Sequence, residues 1–285
     1  MTDGRLRPAR RPLNDLSVLQ RVNRERVVLL GWGAAILMQL AHPQVAAGVA
    51  QHSRFLDTPM ARFERLSRTI RVMQALNFGN PAEVARAARL VNTLHGRVNG
   101  TTESSTPGCP AGTPYNALDP SLLLWVLASL LYVLPRAYEL FVGPLSAEEY
   151  DQFMIDARPL GILLGTPEEL LPRNTSDLDH YLENMLASGD IAVGSTGRRL
   201  VQEIVRPAWP WFTRPMVWIS ALPAIGLLPP AIRRAYNLPW TRRHRLALHA
   251  IAWLCRRLLP LAPRRGRYWP AAQARAWTNM ADPNG

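Results

Sequence analysis

Lysine is missing from this sequence, since all 33 basic residues of the 285-residue chain are arginine. Proteins that bind nucleic acid normally use both cations against phosphate. The absence of lysine therefore favours a coding bias over selection for a phosphate partner. The formal net charge of +12 is weak evidence for nucleic acid, and we predict no such partner.

Cysteine is scarce, because only Cys109 and Cys255 occur. Two cysteines form no disulfide framework, and the C-x-x-C-H motif for covalent haem attachment is missing. A zinc site is disfavoured by two such distant cysteines. The polar N-terminus lacks the apolar segment of a secretory signal, which predicts a cytosolic or membrane-peripheral protein.

Several catalytic motifs are also absent. The chain has no H-E-x-x-H, G-x-S-x-G, P-loop or G-x-G-x-x-G segment. It lacks the paired Glu-x-x-His segments of di-iron carboxylate bundles. These absences argue against zinc proteases, serine hydrolases, nucleotide-binding enzymes and di-iron proteins.

Apolar residues are plentiful at 48%, enough to form a core. The pattern predicts helix after helix without alternating strands, hence an all-α fold. We expect a disordered arm over 1–15, one helical domain over 16–259 and a C-terminal tail over 260–285.

In the first half of the chain, an apolar run within 16–50 is broken at Pro43. Residues 62–76 are predicted to form a helix, and Pro81 starts the next one, which runs to about Val98. Residues 99–117 are predicted to be a polar loop.

In the second half, Asp119 and Pro120 start an apolar helix that Pro135 ends or kinks. Caps for three further helices are predicted from residue type. These are a Ser146–Glu149 capping box, Thr175 or Ser176 at the start of a helix to Met185, and Thr241 before a last amphipathic helix. Residues 120–135 and 215–232 lack charge, and each is interpreted as a core segment or an interfacial membrane contact.

Charge is unevenly distributed along the chain. Residues 1–100 contain 15 arginines against 6 acidic residues, 101–200 contain 5 against 13, and 201–285 contain 13 against 2. The basic ends can therefore pair with the acidic middle, remain solvated, or lie against an anionic membrane.

His95 is the most informative histidine. It shares the predicted helix face with Val84, Ala88, Val91 and Val98. A histidine on an apolar stripe needs a partner for its nitrogens, either a hydrogen-bonding carbonyl or a metal such as haem iron. Both interpretations stay open at this point.

Arg65, Arg68 and Thr69 share one face of the preceding helix. This face is either a solvated arginine face or a polar wall for haem propionates and bound oxygen. His42, at the helix break, either bonds to a freed carbonyl or lies in a haem pocket.

Six stretches together resemble one family. They are LLGWGAAILMQLAHPQVAAGVAQHSRF (29–55), RFERLSRTI (62–70), RLVNTLHGRVNG (89–100), YNALDPSLLLWVLASL (115–130), YELFVGPLSAEEYD (138–151) and IRRAYNLPW (232–240). Over residues 20–245 the chain resembles the domain shared by bacterial rubber oxygenase (latex-clearing protein) and the fungal ER-bound oxygenase of mycophenolic acid biosynthesis.

The resemblance implies an all-helical fold with a globin-like core, a b-type haem and oxidative chemistry with dioxygen. By matched position it implies His95 as the proximal iron ligand. It places the distal set on Arg65, Arg68 (where rubber oxygenase has Lys) and Thr69, and a pocket threonine at Ser129.

Two departures from the family pattern matter. Many relatives have a histidine where this chain has Leu127, and the base of rubber cleavage falls among Val49 and its neighbours. Cleavage of polyisoprene is therefore not expected, whereas haem binding is.

We therefore hypothesise a haem-dependent oxygenase acting with dioxygen on a small apolar, isoprenoid- or lipid-like substrate that enters near 207–240. Arg65, Arg68 and Thr69 would be catalytic. His95, Ser129 and His42 would line the cofactor with them, shielded by Val91, Leu94 and Trp125. The competing hypotheses are a non-enzymatic haem carrier or oxygen sensor, and a peripheral membrane protein without haem.

Overall fold

The computed structural model describes residues 16–53, 59–205 and 214–273, and the fold is all-α, as predicted. The predicted arm over 1–15 lies outside these residues. The helices are α1 (Val18–Asn23), α2 (Leu29–Gln39), α3 (Pro43–His52), α4 (Pro59–Phe78), α5 (Pro81–His95), α6 (Pro120–Phe141), α7 (Ala147–Leu163), α8 (Thr175–Ala187), α9 (Ser195–Val205), α10 (Arg214–Gly226), α11 (Pro230–Ala235), α12 (Arg242–Leu258) and α13 (Arg264–Arg267).

Helix α2 lies at the centre, between α6 and α10. Two glycines allow the close approach. A Cβ on Gly31 would lie 2.6 Å from Cβ of Ala137, and one on Gly33 would lie 2.7 Å from Cβ of Ala224. The backbones therefore meet where no side chain would fit. The main hydrophobic core forms around this three-helix contact.

The remaining helices surround this centre. Helix α1 packs on α7, where the Leu19 amide donates to Asp156 Oδ2 at 3.1 Å. Helix α3 packs on α9. Helix α12 covers one side of α10 and α6, where Phe141, Leu222 and Leu248 form a smaller apolar cluster.

The predicted break at Pro43 is confirmed. The helical stretch Arg26–Gln39 and helix α3 meet at an angle of 107°. Proline occupies the first turn of α3, where its missing N–H has no cost.

Several predicted helix starts are confirmed, and the predicted cap of α8 is wrong. Of the two outcomes predicted at Pro135, the end of the helix does not occur. Asp119 caps α6, and Ser146 with Glu149 forms the capping box of α7. Helix α6 does not end at Pro135 but continues to Phe141. The side-chain cap of α8 comes from Asn174, one residue before Thr175, and the helix runs to Ala187.

The predicted polar loop 99–117 contains a small hairpin. Strands β1 (Asn99–Thr101) and β2 (Pro114–Asn116) pair antiparallel, with Gly100 opposite Tyr115. Strands of three residues are too short to show a clear alternation of apolar and polar residues, so the sequence pattern did not reveal them.

Among the described residues, helix Pro120–Phe141 is long and apolar enough to cross a membrane, and the bent pair Arg26–Gln39 with Pro43–His52 passes the same test. In helix Pro120–Phe141, 61% of the most apolar 18-residue stretch is buried inside the protein. Burial of this extent is typical of the core helix in a globular fold.

The two ends of the described chain are joined. The fully buried Glu25 carboxylate accepts from Arg267 Nη2 at 2.8 Å, and Arg26 Nε donates to the Tyr268 carbonyl at 3.0 Å. Arg21 also pairs with Glu149 of the acidic middle. The Arg21–Glu149 pair joins a basic end to the acidic middle, as one interpretation of the charge pattern predicted, whereas the Glu25–Arg267 pair joins the two basic ends to each other.

Candidate functional site

Helix α5, which carries His95, has a well-defined start. Asn80 Oδ1 accepts from the Glu83 amide at 2.9 Å, and Glu83 Oε2 accepts from the Asn80 amide at 2.9 Å. This capping box, followed by Pro81 at the first turn, fixes the helix start. The helix ends at His95, three residues earlier than predicted.

Val98 therefore does not share the helix face of His95, which corrects the sequence prediction. Gly96 is the C-cap residue, and Val98 packs instead beside Ala47, Tyr115 and Leu122. The face that His95 does share consists of Val84, Ala88 and Val91, at spacings of four, three and four residues.

The His95 ring is half-buried and incompletely bonded. Its Nδ1 atom is buried and has no hydrogen-bond partner. Burial lowers the pKa of His95, so the ring favours its neutral form. The core interpretation, a ring nitrogen bonded to a carbonyl, is therefore not realised at Nδ1.

Asn92, one turn earlier, is a site residue that the sequence analysis did not single out. Its Nδ2 donates to the Leu163 carbonyl of α7 at 3.1 Å, while its Oδ1 is buried without a partner. Two unsatisfied buried atoms thus lie at i and i+3 on α5, and native proteins rarely leave such groups unpaired. In the sequence, only its position three residues before His95, on the same helix face, could have indicated Asn92 as a site residue.

Helices α4 and α5 form a hairpin joined by Gly79 and Asn80. Near this turn, Leu76 of α4 forms a hydrophobic cluster with Ala87 and Ala88 of α5, with Val72 packed against them. This contact identifies the face that each helix turns toward the other.

The predicted distal residues lie on that same face of α4. Back from Leu76, steps of four, three and four residues reach Val72, Thr69 and Arg65. On α5, steps of four, three and four residues lead from Val84 through Ala88 and Val91 to His95. Arg65 and His95 each lie fifteen residues from Asn80, about 22 Å along their helices, so both reach the open end of the hairpin.

Helical spacing places Arg65 and Thr69 of α4, and Val91 and His95 of α5, on the sides through which the two helices pack near their turn. We call these four residues the hairpin slot. Thr69 is exposed, and the other three are only half-buried, although all four lie on facing sides of packed helices. This end of the hairpin is therefore less completely covered than the apolar end at Leu76, which is 4% exposed.

The polar groups of α4 differ in burial. Burial lowers the pKa of Arg65, and the nearby charge of Arg68 lowers it further. Arg68 is exposed. The Thr69 hydroxyl donates to the Arg65 carbonyl at 2.9 Å, a bond within the helix.

Large apolar side chains are exposed around the open end of the hairpin. Met60 and Phe63 of α4 are each 64% exposed, and Leu90 and Leu94 of α5 are 50% and 52% exposed. Leu94 does not shield the site in this structure. Exposed apolar groups of this size at one end of a hairpin make this end a candidate for contact with an apolar ligand.

Ser129, the predicted pocket residue, lies in the interface between α6 and α2. It is fully buried, accepts from Gln39 Nε2 at 2.9 Å and donates to the Val126 carbonyl at 2.7 Å. The Trp125 indole donates to the Gln39 carbonyl at 3.3 Å. These contacts join two core helices, and a cofactor role for Ser129 stays a prediction.

His42, the N-cap of α3, is only 8% exposed, and its Nδ1 is buried without a partner. Burial lowers its pKa to about 4, against the smaller opposing influence of Asp190 and Asp119. The predicted bond to a freed carbonyl is not made by Nδ1. These two carboxylates place His42 near the start of α6 and the turn after α8.

The two family departures also have defined positions. Leu127, where relatives have histidine, packs so closely on α7 that a Cβ on Gly161 would lie 2.9 Å from its Cδ2 atom. Val49 is half-buried and packs against the main core. Neither site offers a titratable group.

Two small cavities lie elsewhere in the described protein. One, of about 20 Å³, lies among α1, α2 and α4 beside Glu25 and Trp269. The other, of about 10 Å³, lies between α3 and the residues around Thr102 and Gly197. Each is roughly the size of one water molecule, and His95 lines neither.

Within the described residues, no three His, Cys, Asp or Glu side chains cluster to hold a metal ion. A haem iron does not need such a cluster, because the porphyrin supplies four nitrogens and the protein supplies one axial ligand. The buried, unpaired nitrogen of His95 fits this requirement.

Comparison with known proteins identifies the family. Residues 19–257 match the model of the ER-bound oxygenase mpaB/B'/rubber oxygenase catalytic domain. Uncharacterized proteins of Mycobacterium tuberculosis and Mycobacterium bovis are each 27% identical over 239 residues, which cover 80% of this chain and 88% of theirs. No solved structure matches significantly, so the globin-like core stays a prediction. The chain belongs to the mpaB and rubber oxygenase catalytic domain family, as the family match across most of its length shows.

Proposed function

We propose that the hairpin slot holds a b-type haem and that the protein uses it with dioxygen to oxidise a small apolar, isoprenoid- or lipid-like substrate. One observation carries this proposal. The facing sides of α4 and α5 change from apolar to polar toward the open end, where a half-buried imidazole has an unpaired nitrogen.

His95 is the residue that would hold the iron. A metal ligand must be a neutral imidazole, and burial lowers the pKa of His95 and so favours that form. When bound, haem supplies an iron centre that activates dioxygen.

Asn92 would orient the ring. Histidine ligands commonly donate their second ring N–H to a nearby oxygen, which fixes the tautomer and the ring plane. Asn92 Oδ1 is a buried acceptor on the same helix face and has no partner. The amide is itself held in place by the Leu163 carbonyl.

The α4 side would provide polar contacts. The guanidinium groups of Arg65 and Arg68 suit anionic groups such as the haem carboxylates. Thr69 can turn its hydroxyl from the Arg65 carbonyl toward a ligand in the slot. Arg68, unlike a lysine, cannot lose its proton to bind iron. We therefore expect no six-coordinate state that depends on an amine at this position.

The apolar side chains around the slot would select the substrate. Met60, Phe63, Leu90 and Leu94 expose enough surface to contact a greasy molecule at the open end of the hairpin. A substrate bound against them would also exclude water from the space between the helices.

The absorbance spectrum of the protein produced with adequate haem tests the proposal. Wild-type protein and His249→Ala, which removes an exposed histidine of α12, should both show a Soret band, and His95→Ala should lose it. His95→Gly should regain the band when imidazole is added. A wild-type chain without the band would overturn the proposal, and an unchanged band in His95→Ala would move the ligand to His42.

Oxygen uptake then separates an enzyme from a carrier or sensor. The haem-loaded protein should consume dioxygen with an apolar probe such as squalene or an unsaturated fatty acid. Thr69→Val, which removes the hydroxyl and keeps the shape, should slow this consumption while leaving the Soret band. A haem protein that consumes no oxygen with any such probe would be a carrier or a sensor.

A further inference from the structure

Helix α12 exposes large apolar side chains on the side away from the core. Leu246 is 59% and Trp253 61% exposed. They lie seven residues apart, hence on one face, whereas Leu248 and Ala252 bury the opposite face against α10 and α6. Packing among the described residues does not explain the outward pair.

The exposed apolar surface continues past the end of the helix. Leu254 is 49%, Leu258 52% and Leu261 80% exposed. Isolated exposed leucines are ordinary on protein surfaces, but five large apolar residues within sixteen positions form a patch.

Arginines surround this patch. Between Ile204 and Ala281 the sequence contains no acidic residue. Arg256, also exposed, bonds to two carbonyls of α6. The other exposed arginines around the patch include Arg242, Arg243, Arg245, Arg257, Arg264 and Arg265. The Arg257 guanidinium lies 5.5 Å from the centre of the Trp253 ring, so cation and aromatic ring occupy the same surface. We call these residues, with the five apolar ones, the basic-apolar face.

This combination fits an anionic lipid bilayer better than a nucleic acid. Phosphate on a nucleic acid would attract the arginines but would give four exposed leucines no apolar environment. In a bilayer, leucine enters the acyl boundary, tryptophan prefers the interface, and arginine reaches the headgroup phosphates while its stem stays among apolar groups.

We propose that the basic-apolar face docks the protein onto the surface of a membrane rich in anionic lipids. Helix α12 would lie in the plane of the interface, with Leu246 and Trp253 inserted and the arginines among the headgroups. The proposal does not depend on haem binding, because no residue of the hairpin slot takes part.

Flotation of the full chain with lipid vesicles tests this docking. Binding should be strong to vesicles of phosphatidylcholine with one quarter phosphatidylglycerol, weak to phosphatidylcholine alone, and should fall as salt rises. The Leu246→Ser/Trp253→Ser double variant should bind at least about tenfold more weakly. The Arg242→Gln/Arg257→Gln double variant keeps all the apolar residues. Its binding to the anionic vesicles should weaken by roughly fivefold for each arginine replaced.

Ile155→Ser is the matched control, because it removes an exposed apolar side chain from α7 instead. It should bind vesicles like wild type, and circular dichroism should show equal helix content in all variants. Equal vesicle binding by the wild type and both double variants would overturn the proposal. So would binding to a DNA duplex with no binding to either vesicle.

Discussion

Asn92 and His95 lie one turn apart on α5, and each has a buried atom without a hydrogen-bond partner. In the proposed complex the Asn92 Oδ1 atom would accept from one ring nitrogen of His95, and the iron would bind the other. The hydrogen bond to a ligating imidazole controls the basicity of the ring and therefore the properties of the iron.

Two variants at Asn92 should shift the iron–histidine stretching frequency and the reduction potential of the haem in opposite directions. Asn92→Asp strengthens the acceptor, so the iron–histidine stretching frequency of the ferrous protein should rise and the reduction potential should fall. Asn92→Leu removes the acceptor and should do the reverse, with roughly 10–100-fold weaker haem retention. Resonance Raman spectroscopy and redox titration measure both.

Thr93→Ala, an exposed neighbour on α5, is the control and should leave both values unchanged. If both Asn92 variants shifted the frequency in the same direction, the residue would only support the helix. Retention of haem with no spectroscopic change in either variant would also contradict the proposed orienting role.

His42 should make stability depend on pH. Its pKa is about 4 in the folded protein and 6.5 unfolded, because burial disfavours the charged ring. The unfolded state therefore binds the proton first as pH falls. Stability is lost between about pH 6.5 and 4, by roughly 3 kcal/mol in total from this group.

Urea unfolding of wild type and His42→Gln across that pH range measures this effect. The difference in unfolding free energy between the two proteins should change with pH below about 6.5 and be constant above pH 7. A pH-independent difference for His42→Gln would show that its ring titrates normally when folded.

At the scale of the element, the hairpin of α4 and α5 depends on its turn. The Asn80–Glu83 capping box is the local feature that starts α5 directly after α4. An identical arrangement, Ser146 with Glu149, starts α7, which carries none of the slot residues. The chain therefore offers a matched pair of caps.

Asn80→Ala and Ser146→Ala should each lower the free energy of unfolding by about 1 kcal/mol, because each leaves a helix-terminal amide without its acceptor. Thermal or urea unfolding measures this loss. Only Asn80→Ala should also weaken haem retention, since only that cap sets the hairpin. Equal haem loss in both variants would mean that global stability, not the hairpin, controls binding.

Sequence reasoning succeeded for elements where local chemistry is decisive. Asp119 and Ser146 were identified as caps because their side chains satisfy free amides in the first turn, a local requirement. The break at Pro43 was likewise predicted from the missing N–H of proline.

It failed where tertiary contacts override local preference. Pro135 costs a helical hydrogen bond, but α6 is packed by α2, α7 and α12, and this burial keeps the helix continuous through the proline. Thr175 could cap α8, but its amide and hydroxyl both donate to Asp151 at 2.8 Å, so Asn174 provides the cap.

The candidate site was predicted only in part. His95, Arg65 and Thr69 were proposed because helical spacing places side chains on faces. The two helices that carry them pack against each other near their connecting turn, and the functional roles of the three residues stay predictions. Asn92 was missed because an asparagine on a helix has no distinctive pattern. Its unsatisfied oxygen becomes visible only once the packing of α5 against α7 is known.

At the scale of the whole molecule, one buried ion pair closes the structure. Glu25 is 1% exposed and bonds to Arg267, and Arg24 lies at 4.0 Å from the same carboxylate. Removal of one partner from a buried pair leaves an uncompensated charge, whereas an exposed pair contributes little.

Arg267→Gln should therefore destabilise the protein by roughly 3 kcal/mol, in the range for broken buried pairs. Arg158→Gln, whose partner Glu168 is 69% exposed at the side chain, should lose the few carbonyl contacts of Arg158 and cost less. Chemical denaturation of the three proteins gives the comparison. A smaller loss for Arg267→Gln than for Arg158→Gln would contradict the structural role of the buried pair.

The position of Arg267 also bears on where this domain can be cut. The family match stops at residue 257, ten positions before the guanidinium that neutralises Glu25. A chain trimmed at that boundary would keep the whole hairpin slot yet bury a carboxylate with Arg24 as its remaining neighbour. Any recombinant fragment intended for spectroscopy or crystallisation should therefore extend through Gln273, beyond the homologous region, if it is to keep the stability of the full domain.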